Sequence, residues 1–130
     1  MQDQPTPAEI IGAVAAFLKN VVAAETTGAT SFQARVAANA LEMMKRQLET
    51  QPAEDAAELT RLTALMPGEE GDLFQLNAEL SRRIEAGEVD LSTPALKEHL
   101  WKTTLAKLAV DQPTYGGYRA ALAERGESKD

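Results

Sequence analysis

The stretch from Ser31 to Glu49, SFQARVAANALEMMKRQLE, decides how the rest of the chain reads. At about 100° per residue, Phe32, Val36, Ala40, Met43 and Met44 fall along one stripe. Asn39 lies inside the edge of that stripe and Arg35 stands one turn before it. The spacing predicts an amphipathic helix with its apolar stripe against a core. On the plain reading Asn39 makes a buried hydrogen bond, while Arg35 lays its stem along the core and keeps its head in water.

Working back from this helix, Thr26-Thr27-Gly28 ends the one before it, and Thr30 to Gln33 offers a capping box for the Phe32 helix. The first helix starts at Thr6-Pro7-Ala8-Glu9: the hydroxyl can accept from an orphan N–H, the proline lacks the N–H it would waste, and Glu9 reaches back. Its main face is Ile10, Val14, Phe17 and Val21, widened by Ile11, Leu18 and Val22. So short a connection makes these two helices antiparallel neighbours.

Working forward, Gln51-Pro52 closes the central helix, because the residue before proline avoids the helical region. A third helix runs from about Ala53 to Met66 with Leu59, Leu62 and Met66 inward. After the acidic turn Pro67 to Gly71, Asp72 with Gln75 caps a fourth, whose stripe is Leu73, Leu76, Leu80 and Ile84, with Gly87 as its C-cap and Asn77 within the stripe. Thr93-Pro94 begins a fifth, to about Val110, with Leu96, Leu100, Thr104 and Leu108 inward. Pro113 stops it and Gly116-Gly117 breaks the chain. The expected fold is all-α, a single-domain bundle of about five amphipathic helices over residues 1–115, with residues 116–130 a weakly ordered tail.

Composition agrees with this. At 130 residues the chain fits one domain, and 44% hydrophobic with 25% charged residues is ordinary for a globular protein. Sparse aromatics and β-branched residues leave no candidate for a sheet. A net charge of −7 repels phosphate backbones and anionic lipid, so nucleic acid and membrane are not expected partners. With no cysteine, and an apolar run from Ile10 to Leu18 shorter than a bilayer span, a cytoplasmic protein is the expectation.

For chemistry the inventory is thin. There is no nucleophile elbow, phosphate loop or Rossmann glycine pattern, and His99, the single histidine, has no His, Asp or Glu three or four positions away. It reads as a surface or hydrogen-bonded residue. The acidic residues from Glu54 to Glu58 read as a solvated face and those from Glu69 to Asp72 as a turn without calcium-loop spacing. No catalytic residue, metal or cofactor is expected, and the chain reads as a non-enzyme. What stands out is polar residues on or beside apolar stripes: Arg35 and Asn39, Asn77, and Lys107 with Asp111 four residues on. If the stripes share one core, burying these together costs less than burying each alone. Such a cluster is either structural or the polar end of a ligand pocket. Trp101, at the edge of the fifth stripe, is an anchor for another subunit if exposed.

Several blocks resemble a small bacterial domain family of unknown function, typically encoded beside aminoglycoside-phosphotransferase-like kinases and acyl-CoA dehydrogenases. They are Pro5-Thr6 with Ala8-Glu9, Phe32 with Ala34 to Leu41, Leu76-Asn77, and Lys107 to Asp111 followed by Pro113 and Tyr115. The resemblance implies a helical accessory protein working with such a kinase or dehydrogenase on acyl or hydroxyacyl thioesters, and it supplies no catalytic residue. Two functional expectations follow. One is an accessory or regulatory protein that docks a partner through an apolar patch near Trp101 or the first helix, with homo-oligomers left open. The other is a small-molecule module holding an acyl or phosphorylated ligand, with Arg35, Lys107 and Asn39 at its anionic end.

Overall fold

Two capping boxes set the helix starts. Thr6 Oγ1 accepts from Glu9 N–H at 3.3 Å while Glu9 Oε2 accepts from Thr6 N–H at 2.7 Å. Asp72 and Gln75 exchange the same pair of bonds at 2.8 and 3.0 Å. In the computed structural model, which describes residues 3–124 and 126, the protein is all-α. Among the described residues the helices are α1 (Pro7–Glu25), α2 (Gly28–Leu65), α3 (Leu73–Glu85), α4 (Leu96–Asp111) and α5 (Gly116–Glu124). They form two compact units, residues 1–51 and 52–130.

Unit one is an antiparallel hairpin of α1 and the first part of α2, closed by small residues. Ala15 and Ala23 on α1, and Ser31, Ala34 and Ala38 on α2, are its buried residues. Ala15 and Ala23 are eight positions apart, about 80° out of line in a regular α-helix. A π turn over Leu18–Val22 takes in one extra residue and returns Ala23 to the seam. The end of α1 is capped from both sides: Thr26 Oγ1 donates to Val22 O at 2.6 Å, and the buried Ser31 hydroxyl donates across to Ala23 O at 2.7 Å. Lys45 lays its stem over Gly12, where an added Cβ would stand 3.4 Å from Lys45 Cδ.

This seam overturns the expected core of the hairpin. The stripe Ile10, Val14, Phe17 and Val21 is exposed, as are Phe32, Val36 and Met44. Alanine and serine let the two backbones approach closely, which leaves the larger side chains no room between them. The apolar run seen in the sequence also belongs to a longer helix: α1, at 19 residues and mean hydropathy 1.5, is long and apolar enough to cross a bilayer by length and composition.

Unit two packs the second part of α2 with α3, α4 and α5. Its core is Leu62, Met66, Leu76, Leu80, Val89 and Leu96, with Leu65 and Leu73 against it. The expected inward residues Leu62, Met66, Leu76 and Leu80 are therefore core, whereas Leu59 and Ile84 are exposed. A Schellman motif ends α3: Gly87, at φ +73°, donates to Ile84 O and Glu88 donates to Arg83 O. The chain then turns on Asp90, whose Oδ1 accepts from Ser92 N–H at 2.7 Å.

Three element boundaries differ from expectation. Pro52 lies inside α2 and does not end it. A proline there removes one bond to Leu48 O, and the helix tolerates the loss at the junction of the two units. Thr93-Pro94 forms a turn and not the start of α4, which begins at Leu96 after Ala95 in the left-handed region at φ 67°. The buried residues of α4 are Leu96, His99 and Leu105, while Leu100 and Thr104 are exposed. Beyond Tyr115 the chain is helical over Gly116–Glu124, with Ala121 buried. The start of this helix is tight, since a Cβ on Gly117 would meet Tyr115 Cε1 at 2.8 Å.

Candidate functional site

The polar residues that the fold gathers come from three helices of unit two. On α2, Glu58 and Arg61 are three apart and share a helix face. On α4, His99 and Thr103 are four apart and share another. From α3, Asn77 Nδ2 donates to Glu58 Oε1 at 2.8 Å and to Leu73 O at 3.0 Å. Arg61 Nη2 reaches Thr103 Oγ1 at 3.4 Å, a long and weak bond.

Two atoms of this group are buried without a hydrogen-bond partner: Arg61 Nε and His99 Nδ1. His99 is 2% exposed, among the most buried side chains of the protein. Burial holds its pKa below the ordinary histidine value; the Arg61 charge lowers it further and Glu58 works the other way. His99 is thus neutral at pH 7. Its burial corrects the expectation of a surface or hydrogen-bonded residue: α4 packs with position 99 inward and Leu100 and Thr104 outward.

Arg61 also lines a cleft of about 350 Å³ between α2, α4 and α5. Leu105, Ala106, Ala109 and Leu122 form its apolar surface; Lys102, Glu54 and Tyr118 are its other polar residues. Lys102 pairs with Glu98 on its own helix at 3.3 Å. Glu58 is engaged with Asn77, and among the described residues no carboxylate stands within ion-pair distance of Arg61.

The residues singled out in the sequence fall differently. Arg35 and Asn39, in unit one, are exposed. Lys107 and Asp111, in unit two, are exposed too, and among the described residues no ion pair joins them. Asn77 alone among them enters the buried polar group, through Glu58 and Leu73. The sequence carried a signal for the others, Glu58 with Arg61 at i and i+3 and His99 with Thr103 at i and i+4. It was hidden because Glu58 sits in an acidic run that reads as a solvated face.

The acidic turn is held by arginines. Arg83 Nη2 pairs with Glu69 and Arg83 Nε with Glu79 at 2.7 Å, while Arg82 bridges Glu79 at 2.9 Å and Glu88 at 3.1 Å. Hydrogen bonds from Arg82 and then Arg83 pull the Glu79 carboxyl down to about 2. Among the described residues no group of three or more His, Asp and Glu is placed to hold a metal.

Residues 24–115 match the family model described as a domain of unknown function, DUF6285. The chain belongs to this family. The DUF6285 stretch takes in α2, α3 and α4, so the buried group of Glu58, Arg61, Asn77, His99 and Thr103 lies wholly inside it. No curated protein and no solved structure matches the chain.

Proposed function

We propose that this DUF6285 protein is a non-catalytic accessory protein whose α1–α2 hairpin docks onto the apolar helical surface of a partner protein. The observation that carries this reading is the apolar side of the hairpin. Counted at about 100° per residue from the seam residues Ala15 and Ala38, Lys19 and Glu42 are both displaced by about +40°. They meet as an ion pair at 3.1 Å, as two antiparallel helices require. Val14 and Phe17 on α1, and Met44 and Leu48 on α2, are displaced the other way by about 80 to 160°. They therefore share the opposite side, and Val36, at about +160°, continues it to the outer edge of α2, while Phe32, at about +120°, stands beyond that edge on the side of the ion pair. All six are exposed, Phe17 at 55% and Phe32 at 67%.

From Val36 to Leu48 this side measures roughly 22 by 20 Å, about 440 Å², within the range of the largest apolar patch of an ordinary monomer. Covered by a matching surface it removes about 900 Å² from water, the size of a weak or transient contact. Charge suggests the rim of the partner. The hairpin unit has five acidic and four basic residues, a net −1 of the chain's −7, so the unit that docks is almost neutral while the rest of the chain carries −6. That distribution steers a partner with a basic rim. The resemblance noted above supports a phosphotransferase-like kinase or an acyl-CoA dehydrogenase, acting on acyl or hydroxyacyl thioesters in the cytoplasm, as that partner.

Co-expression with a kinase and a dehydrogenase of these classes from the same genome, followed by size-exclusion chromatography with light scattering, tests the reading. A heteromeric complex lost with Phe17→Ser and Met44→Ser, but kept with Lys107→Ala, is expected. Self-association through the same residues with neither enzyme bound, binding to neutral phosphatidylcholine vesicles, or thioester turnover by the protein alone would overturn it.

A further inference from the structure

Independently of the hairpin, we propose that the cleft beside Arg61 binds a small carboxylate with an apolar body. The guanidinium is the reason. Arg61 carries five donors, of which Nε is buried without a partner and Nη2 has only the long contact to Thr103. A half-buried cation with unfilled donors and no carboxylate within ion-pair distance is an incomplete ion pair, and an anion in the cleft completes it. A carboxylate fits the planar fork of donors better than a point charge does, since it takes two parallel bonds.

The remaining walls set the class of ligand. Leu105, Ala106, Ala109 and Leu122 give an apolar surface, and the alanines supply the width. Lys102 adds a second cation, freed from its exposed pair with Glu98 at little cost. Glu54 lies two turns before Arg61 on α2, about 10 Å along the axis, and disfavours a second negative charge at that end. A monoanion is therefore favoured over a phosphate dianion. At about 30 Å³ per water-sized atom the volume holds roughly ten non-hydrogen atoms, the size of a six- to eight-carbon acid. Tyr118 on α5 offers its phenol as one more donor.

The test uses the full chain, labelled with 15N, and four probes: hexanoate, octanoate, hexanamide and inorganic phosphate. Fragments of this size bind with a Kd on the order of 1 mM. Hexanoate and octanoate are expected to shift the amide signals of Leu105, Ala106, Ala109 and Tyr118, with hexanamide at least about tenfold weaker, as loss of a charge-assisted bidentate contact implies. Arg61→Gln should weaken hexanoate by a similar factor. Ala109→Leu, which fills the cleft without touching the guanidinium, should remove binding while the spectrum elsewhere is unchanged, so a folding defect in Arg61→Gln leaves the proposal testable. Equal binding of hexanamide, tighter binding of phosphate than of hexanoate, persistence in Ala109→Leu, or no shifts with hexanoate at about 20 mM would each overturn it.

Discussion

Phe32→Ala and Ala38→Leu, taken as a pair, test the inverted packing of the hairpin. Ordinary intuition ranks loss of a helix phenylalanine as severe and gain of a leucine as mild, and the structure reverses that ranking. Phe32 is 67% exposed, so about a third of its surface is removed from water. Full burial of such a side chain is worth roughly 1.5 to 3 kcal/mol, which leaves about 0.5 to 1 for Phe32. Alanine recovers about half a kcal/mol through better helix propensity. The net loss is therefore close to zero, against about 3 to 5 kcal/mol for a phenylalanine in a packed core. Ala38, at 0% exposure, lies in a seam built from small residues, and the added leucine carbons force the helices apart at about 1 to 3 kcal/mol.

Urea unfolding followed by far-ultraviolet circular dichroism measures both changes. Fluorescence of Trp101, the single tryptophan, reports unit two separately, so the Ala38→Leu loss should show in the dichroism before the fluorescence. A loss of about 3 kcal/mol or more in Phe32→Ala, together with a near-neutral Ala38→Leu, would refute the seam and restore the large residues to a core.

Further outcomes follow from unit two and the junction. Because the His99 pKa is lowered in the folded state, the unfolded chain binds the proton first. Stability from this residue is flat above about pH 6.5 and falls as pH drops below that value. The difference in urea midpoint between wild type and His99→Gln, measured from pH 7.5 to 5.5, should show that slope. Glu79 contributes stability present above its ordinary pKa of 4.5 and lost as pH falls from there toward about 2, so Glu79→Gln should flatten part of the acid limb of the same titration. Pro52→Ala should stabilise the protein by about 2 kcal/mol, read as a higher urea midpoint, since it restores an N–H to a helix that runs through the position and the unfolded-state entropy offsets only part of that gain. Asp72→Ala should cost about 1 kcal/mol through loss of the α3 cap.

Much of the architecture was legible in sequence because it depends on local chemistry. Thr6 with Glu9, and Asp72 with Gln75, are legible because a short polar side chain and an acceptor three residues on leave the backbone few better partners. Leu62, Met66, Leu76 and Leu80 are legible because they sit at the centre of narrow apolar stripes, whose ends, Leu59 and Ile84, are exposed. Pro52 misled for the converse reason: a propensity of a few kcal/mol is set by one bond, and the packing of Leu62 and Met66 further along the same helix outweighs it.

The hairpin and the polar group were not legible, and for one shared reason. Helical periodicity identifies an apolar face but carries no information about what that face meets. In α1 and α2 two stripes compete, a large one of Val14, Phe17, Val36 and Met44 and a small one of Ala15, Ser31, Ala34 and Ala38. Closest approach selects the small one. In unit two the register of α4 depends on Ala95 adopting φ 67°, a conformation no alanine signals in advance. The stripe that periodicity offers on this helix is Leu96, Leu100, Thr104 and Leu108, which leaves His99 outside. In the packed helix His99 is buried instead, with its Nδ1 unpartnered and its pKa lowered by that burial first and by the Arg61 charge second. The unpaired guanidinium, which motivates an anion in the cleft, is thus a property of tertiary register and not of any local motif.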